Sequence, residues 1–292
     1  MRISLLQKTY RKALARYQAL EPSAADGLYC RAFRAVITSA VKALMKWRRF
    51  HFPERVTGGF YWIWRFRFEF LMGWFEQECT PFCRELIKPG MTVLDIGAHI
   101  GFYSRLFSKL VGPAGQVISI EANPENFAVL RKNVPPDRYP NVRTFNLAAS
   151  DCDGARPLYI SPGHSNHSLL PGYTEARKVI EIDSLSMDTF LTRNGIAAPG
   201  FIKSDTEGAE PLVIAGLRRT LSGQAAPMLL LEYNPMAIRC GGTEPEALLA
   251  ALREAGFNVD AILPGGSLGN IPELHGSESA NLLCRKTVVS SR

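Results

Sequence analysis

The sequence predicts an α/β protein with a doubly wound, mostly parallel seven-stranded sheet of Rossmann-like type, preceded by an N-terminal helical and aromatic segment. Three observations carry that expectation. Residues 93–101 read Val-Leu-Asp-Ile-Gly-Ala-His-Ile-Gly, an apolar run that closes in a glycine turn. A second apolar run at 116–121 ends in Glu121. Beyond it, apolar runs of strand length alternate with helical patterns almost to the end of the chain, as βαβ units do.

Strands are expected near 91–96, 116–121, 141–146, 200–205, 227–232, 257–262 and 280–285. Helices are expected near 101–111, 124–134, 186–194, 208–221 and 244–255. Pro89-Gly90 introduces the first strand, and the last strand is expected to insert antiparallel. An insertion at 155–185 has short strands at 157–160 and 179–182. The loop between them, 161–172, is rich in Gly, Ser, His and Asn and suits a lid over the carboxyl edge of the sheet.

Domains are expected at 1–80, a basic amphipathic and aromatic segment, and at 81–292, the catalytic fold. The net charge of +7 is uneven: residues 1–55 hold twelve Lys/Arg and three Asp/Glu, so the rest of the chain sums to −2. This argues against a general nucleic-acid-binding enzyme, whose cleft itself needs positive charge. Leu6, Tyr10, Leu14 and Tyr17 repeat at helical spacing. A clearer helix spans 28–50, with Phe33, Ile37, Ala40, Leu44 and Trp47 on one face and Arg31, Arg34, Thr38, Lys42, Lys46 and Arg49 on the other. Such a helix either lies on an anionic membrane surface or packs its stripe on the catalytic fold. Residues 60–75 are rich in aromatics, and Arg65, Arg67 and Glu69 alternate with Phe66, Phe68 and Phe70, which predicts a strand that lines an acceptor pocket or joins the core. A short helix over 76–86 follows.

The cysteines at 30, 79, 83, 152, 240 and 284 form no Cys-x-x-Cys, which argues against zinc and for reduced thiols in a cytoplasmic protein. No secretory leader and no membrane-spanning run is expected.

The first glycine turn suits two cofactors. Dinucleotides favour Gly-x-Gly-x-x-Gly, whereas the spacing here is Gly97-x-x-x-Gly101. Asp95 beside that turn would repel a pyrophosphate and suits the sulfonium cation of S-adenosylmethionine (SAM). A SAM-dependent methyltransferase is therefore favoured over an NAD(P)-dependent reductase. A catalytically inactive SAM-fold protein at a membrane is a third reading.

Longer motifs sharpen the choice. VLDIGAHIGFYS (93–104), VISIEANPENFAVLRKNV (117–134), NVRTFNLAASD (141–151), FIKSDTEGAEPLVIAGLRRTL (201–221) and LLLEYNP (229–235) resemble the FkbM-type methyltransferases over roughly 85–285. The chain departs from that family at His99, usually Asn, and at Ala122, usually Pro. It also has Ser204-Asp205-Thr206-Glu207 where a hydrophobic-Asp-Val-Glu run is usual. The resemblance implies SAM-dependent O-methylation of a hydroxyl on a sugar, glycolipid or natural product. By position, Asp95, Gly97, Ala98, His99 and Gly101 surround the methionine part of SAM. Glu121 takes the ribose hydroxyls beside Ala122 and Asn123. Asp151 meets the adenine amino group, with Ala149 and Ser150 as backbone neighbours.

An oxygen acceptor has to lose a proton, so a base is sought among carboxylates at strand ends. Asp205 ends the fourth strand and is the first candidate; Glu207 and His164 on the lid loop are next, with His167 beside it. Glu207 is equally readable as a helix cap, and Glu210 as a charge balancing the helix dipole. No metal is expected, although Asp205, Glu232 and Asn234 form an all-oxygen set compatible with Mg²⁺, as in catechol-type O-methyltransferases. The expected acceptor is a small molecule, saccharide or lipid-linked group, and the basic appendage favours one at an anionic membrane or carrying phosphate. No nucleic acid is expected.

Overall fold

The computed structural model describes residues 8–10, 12, 28–53, 59–163, 165–196, 198–223 and 225–286. Three helices come first: α1 (Leu28–Trp47), α2 (Gly59–Met72) and α3 (Thr80–Leu86). The alternating part follows as β1 (Thr92–Ile96), α4 (Phe102–Val111), β2 (Gln116–Ile120), α5 (Pro124–Asn133) and β3 (Val142–Phe145). A smaller sheet is built from β4 (Ala148–Ser150), β5 (Gly154–Ile160) and β6 (Lys178–Ser186). The chain continues as α6 (Met187–Arg193), β7 (Phe201–Ser204), α7 (Glu210–Gly216), α8 (Arg218–Ser222), β8 (Met228–Tyr233), α9 (Pro235–Cys240) and α10 (Pro245–Glu254). It closes with β9 (Phe257–Leu263), β10 (Ser267–Gly269) and β11 (Ala280–Lys286).

The large sheet has the order β10-β9-β11-β8-β7-β1-β2-β3. β1 pairs in parallel with β2 and β7, and β11 runs antiparallel between β8 and β9. The seven expected strands all belong to this sheet, and β10 adds a short eighth at its edge.

Alternation along the strands sorts side chains to two faces. Leu94, Ile96, Ile202, Leu229 and Leu231 join one buried cluster, packed under α6, α7 and α10. Val93, Phe201 and Leu230 join the other, with Phe107 and Val111 of α4 and Cys79 and Cys83 near α3. Both faces are covered, which is why these strands read as continuous apolar runs. It also sends Asp95 and Lys203 toward the α3–α4 side.

Residues 60–75 are not a strand. Residues up to Met72 form α2, because the segment is packed from several directions. Phe70 lies 5.3 Å from Phe52 and 4.9 Å from Phe102, while Phe68 stacks 4.8 Å from Tyr10. A helix packed on more than one side loses the single apolar stripe that marks a 3.6-residue period. The expected helix at 76–86 starts only at Thr80, because Glu76 sits at φ 50° in the left-handed region and Pro81 opens the first turn. The expected helix at 208–221 is two helices, broken at Leu217; a Cβ on Gly216 would meet the Ser150 carbonyl oxygen at 1.9 Å, so the backbone there is pressed against β4.

α1 packs on the catalytic fold through Val41 and Met45, which join Phe52, Phe70 and Ile100 in one cluster. Asn133 at the end of α5 fixes the following turn: His51 N–H donates to its Oδ1 at 2.6 Å, and its Nδ2 donates to the carbonyls of His51 and Ile100. The expected repeat at Leu6, Leu14 and Tyr17 lies outside the described residues. Among the described residues, no helix is long and apolar enough to cross a membrane.

Candidate active site

A cavity of about 650 Å³ opens at the carboxyl edge of β1, β2, β7 and β8, within the usual range for small-molecule sites. At one end lie Gly97, His99, Glu121, Ala122 and Asn123, with Leu147, Ala148 and Ala149 as an apolar wall. At the other lie Glu69, Glu76, Asp205, Glu207, Glu232 and Asn234, with Asn166 and His167 of the 161–172 loop and Tyr173 just after it.

Glu121 is the best-defined group at the first end. Its Oε2 accepts from His99 N–H at 2.8 Å and its Oε1 from Asn123 N–H at 2.9 Å. Each carboxylate oxygen keeps a second lone pair, enough for a diol. Burial pushes its pKa up to about 7, against the pull of those two hydrogen bonds. Asn123 then caps α5 by accepting from Glu125 and Asn126 N–H. Gly97 and Gly101 have positive φ, and their requirement is internal. A Cβ on Gly97 would lie 1.8 Å from the Asp205 carbonyl oxygen, and one on Gly101 2.7 Å from Leu130 Cδ1.

Asp95 is fully buried behind the turn, where Ser104 Oγ donates to its Oδ2 at 2.6 Å and its Oδ1 has no hydrogen-bond partner. Burial raises its pKa despite nearby Lys203. Neither Asp95, Ala98, Gly101 nor Ser150 lines the cavity, while Ala149 does. Asp151 is turned away: it holds Arg156 Nη2 at 2.6 Å and lies outside the cavity lining.

At the second end, Lys203 Nζ donates to Asp205 Oδ2 at 3.0 Å and lies 4.9 Å from the centre of the Tyr103 ring. Burial acts to raise the pKa of Asp205, but the Lys203 charge outweighs it and holds the carboxyl below its usual value. Asp205 is thus a weak base. Glu207 differs. Burial first, and then the Asp205 charge, push its pKa up to about 8. Tyr173 Oη donates to its Oε2 at 2.9 Å and Asn166 N–H to its Oε1 at 3.2 Å.

Glu207 does not cap α7. The reach-back group is Glu210, which accepts from Thr206 N–H, Thr206 Oγ and Gly208 N–H and fixes the turn in which Glu207 takes φ 55°. Burial and the Asp205 charge also raise Glu232 well above its usual value. His167 Nδ1 accepts from Ser161 N–H at 3.1 Å. His164 lies outside the described residues.

Sequence reasoning missed Glu69, Glu76 and Tyr173. One signal converges here: Glu76, His99, Asn166 and Glu207 are non-glycine residues with positive φ, and all four line the cavity. Such strain gathers at functional sites. One carboxylate oxygen each from Asp205, Glu207 and Glu232 also lie within 4.8 Å of one another.

The strand order with its antiparallel insertion, the glycine turn and the carboxylate after β2 define an α/β enzyme of the SAM-dependent methyltransferase class. Residues 95–259, more than half the chain, match the methyltransferase FkbM domain, and the chain belongs to that family. The 2-O-methyltransferase NoeI of Sinorhizobium fredii is 28% identical over 202 residues, 64% of this chain and 80% of that protein. The 31-O-demethyl-FK506 methyltransferase FkbM of Streptomyces tacrolimicus is 29% identical over 160 residues, 45% of this chain and 61% of that protein. Among solved structures, precorrin-6y C5,15-methyltransferase from Geobacter metallireducens aligns over 72% of this chain and 89% of that one, at 13% identity and a TM-score of 0.43.

Proposed function

We propose that the chain transfers the methyl group of SAM to a hydroxyl of a sugar or sugar-like natural product, with Glu207 as the base. Two relatives named for O-methyl chemistry support the oxygen acceptor. The observation that carries the acceptor class is the charge of the cavity. Glu69, Glu76, Asp205, Glu207 and Glu232 line it, and no Lys or Arg is among the described residues that do. Carboxyl oxygens accept from hydroxyls and amines, and Asp205, kept ionised by Lys203, repels phosphate and carboxylate. The acceptor moiety is therefore neutral or cationic, and the phosphate suggested by the basic N-terminal segment is not adopted.

The residues fit SAM at the Glu121 end. Glu121 takes the ribose diol, Leu147, Ala148 and Ala149 face the adenine, and Gly97 and His99 border the methionine part. Asp95 acts from behind the turn by fixing Ser104. Bound there, SAM supplies an electrophilic methyl on its sulfonium. Glu207 is held by Tyr173 and Asn166 for proton removal from the acceptor hydroxyl. A base with pKa near the working pH is suited to that role. Asp205, fixed by Lys203, contributes a negative charge beside the reaction centre rather than a proton-accepting site. Cytoplasmic placement with peripheral contact at an anionic membrane belongs to the same proposal.

The test is incubation with methyl-labelled SAM and three acceptor pools: neutral saccharides, amino sugars and phosphorylated sugars. Label is expected as a methyl ether in the first or second pool. Transfer confined to the phosphorylated pool, or N-methyl products only, would overturn it.

A further inference from the structure

The packing of α1 leaves a face that the proposed chemistry does not use. Ile37, Val41 and Met45, spaced i, i+4 and i+8, turn toward the catalytic fold. Val36, Ala40, Leu44 and Trp47, spaced i, i+4, i+8 and i+11, form a second stripe that points away from it. Its large members are exposed by 68% at Val36, 46% at Leu44 and 81% at Trp47. Scattered exposed apolar residues need no explanation, but a continuous helical stripe ending in a tryptophan does. Lys42 and Lys46, four residues apart and both exposed, lie on a third face of the helix, and Arg49, also exposed, follows its C-terminal end. The helix thus carries an inner apolar stripe, an outer apolar stripe and a basic third face.

We infer that the outer stripe of α1 is a docking face for an anionic lipid bilayer, with the helix lying in the plane of the headgroups. Trp47, Leu44 and Val36 enter the boundary between headgroups and acyl chains, where an indole ring is at home. The long side chains of Lys42 and Lys46 reach round to lipid phosphates. Charge complementarity selects this occupant over a second copy of the chain: residues 1–55 sum to +9, so two copies stacked through α1 would bring like charges together. Because α1 rests on α2, and α2 gives Phe66 and Glu69 to the cavity wall, docking would set the acceptor cavity close to lipid-linked acceptors.

Deleting residues 1–55 is not a clean test, since Met45 and Phe52 pack on Ile100 beside the glycine turn. The full chain and the triple variant Val36→Ser, Leu44→Ser, Trp47→Ser are compared by co-sedimentation with vesicles. One set is phosphatidylcholine and the other is phosphatidylcholine mixed with phosphatidylglycerol. The full chain should sediment with the anionic vesicles only, and less as salt is raised. The variant should lose about tenfold or more in partitioning. SAM titration and circular dichroism should be unchanged, because these residues touch neither cavity nor core. The inference is overturned if the full chain stays in the supernatant at low salt, or if the variant sediments as well as the full chain. It is also overturned if the stripe instead supports self-association that the variant abolishes. Methyl transfer to soluble acceptors is scored separately, so failure here leaves the chemical proposal standing.

Discussion

Tyr173 Oη donates a 2.9 Å hydrogen bond to Glu207 Oε2, tying the lid loop to the turn between β7 and α7. Asn234 Nδ2 and Asn166 Nδ2 both donate to the same phenol oxygen, and Ser168 Oγ donates to the Glu207 carbonyl. The group proposed as base therefore also anchors the lid. This bond lowers the Glu207 pKa against burial and the Asp205 charge, which set it near 8. A base acts unprotonated, so the rate should rise with pH through about 8. Tyr173→Phe removes the lowering contribution and should shift that limb to higher pH. An unmoved pH–rate profile would assign the proton to another group.

The Lys203–Asp205 pair predicts a stability effect. Burial acts to lower the Lys203 pKa, but Asp205 and Asp95 outweigh it and the pKa is raised. That contribution is full below the unfolded lysine pKa of about 10.4 and is lost as pH rises through the folded value. The depressed Asp205 contributes above the unfolded value of about 3.9 and loses it as pH falls. Both are therefore present near neutrality. Lys203→Met should cost up to roughly 3 kcal/mol in denaturant unfolding at pH 7. The low end of the range for buried pairs applies because the Asp205 side chain is 39% exposed.

Gly97→Ala should damage the fold and the site together. The residue has φ +74°, and its added carbon would lie 1.8 Å from the Asp205 carbonyl oxygen. The backbone conformation alone costs roughly 1–3 kcal/mol, before the clash is relieved. A thermal melt lowered by only a degree or two would show that β1 and β7 can part without cost.

Chelation should leave initial rates unchanged. Asp205 already holds the Lys203 ammonium, and Glu207 holds Tyr173 and Asn166, so two of the three converging carboxyl groups are engaged without a metal ion. Loss of activity in EDTA that Mg²⁺ restores would make the Asp205–Glu207–Glu232 cluster a metal site.

The sheet was legible because its strands are buried on both sides and its turns are marked by Pro89-Gly90, Gly97 and Gly101. Glu121 was legible because a lone carboxylate after an apolar strand has few structural reasons to be there. The aromatic segment misled for a physical reason. Phe66, Phe68 and Phe70 alternate with charges, and aromatic residues favour strands, yet on a helix Phe66 and Phe70, four residues apart, both meet Phe75 while Phe68 meets Trp74. In α1 the expected stripe included Leu44 and Trp47, whereas the packed stripe is Ile37, Val41 and Met45. A helix with two apolar stripes does not reveal which one packs. Glu76 and Tyr173 reach the cavity by tertiary packing alone, which no local pattern encodes.

In the proposed function one cavity holds SAM at its Glu121 end and the acceptor at its Glu207 end. Titration calorimetry of SAM into the wild type, Glu121→Gln and Glu207→Gln tests it most directly. Losing charge-assisted hydrogen bonds at Glu121 costs about 1.5–3 kcal/mol each, so Glu121→Gln should raise the Kd at least about tenfold. Glu207→Gln should leave the Kd near the wild-type value while methyl transfer falls by about 10²–10⁴. An unchanged Kd in a folded Glu121→Gln, or an equal loss of SAM binding in Glu207→Gln, would contradict the division of the cavity.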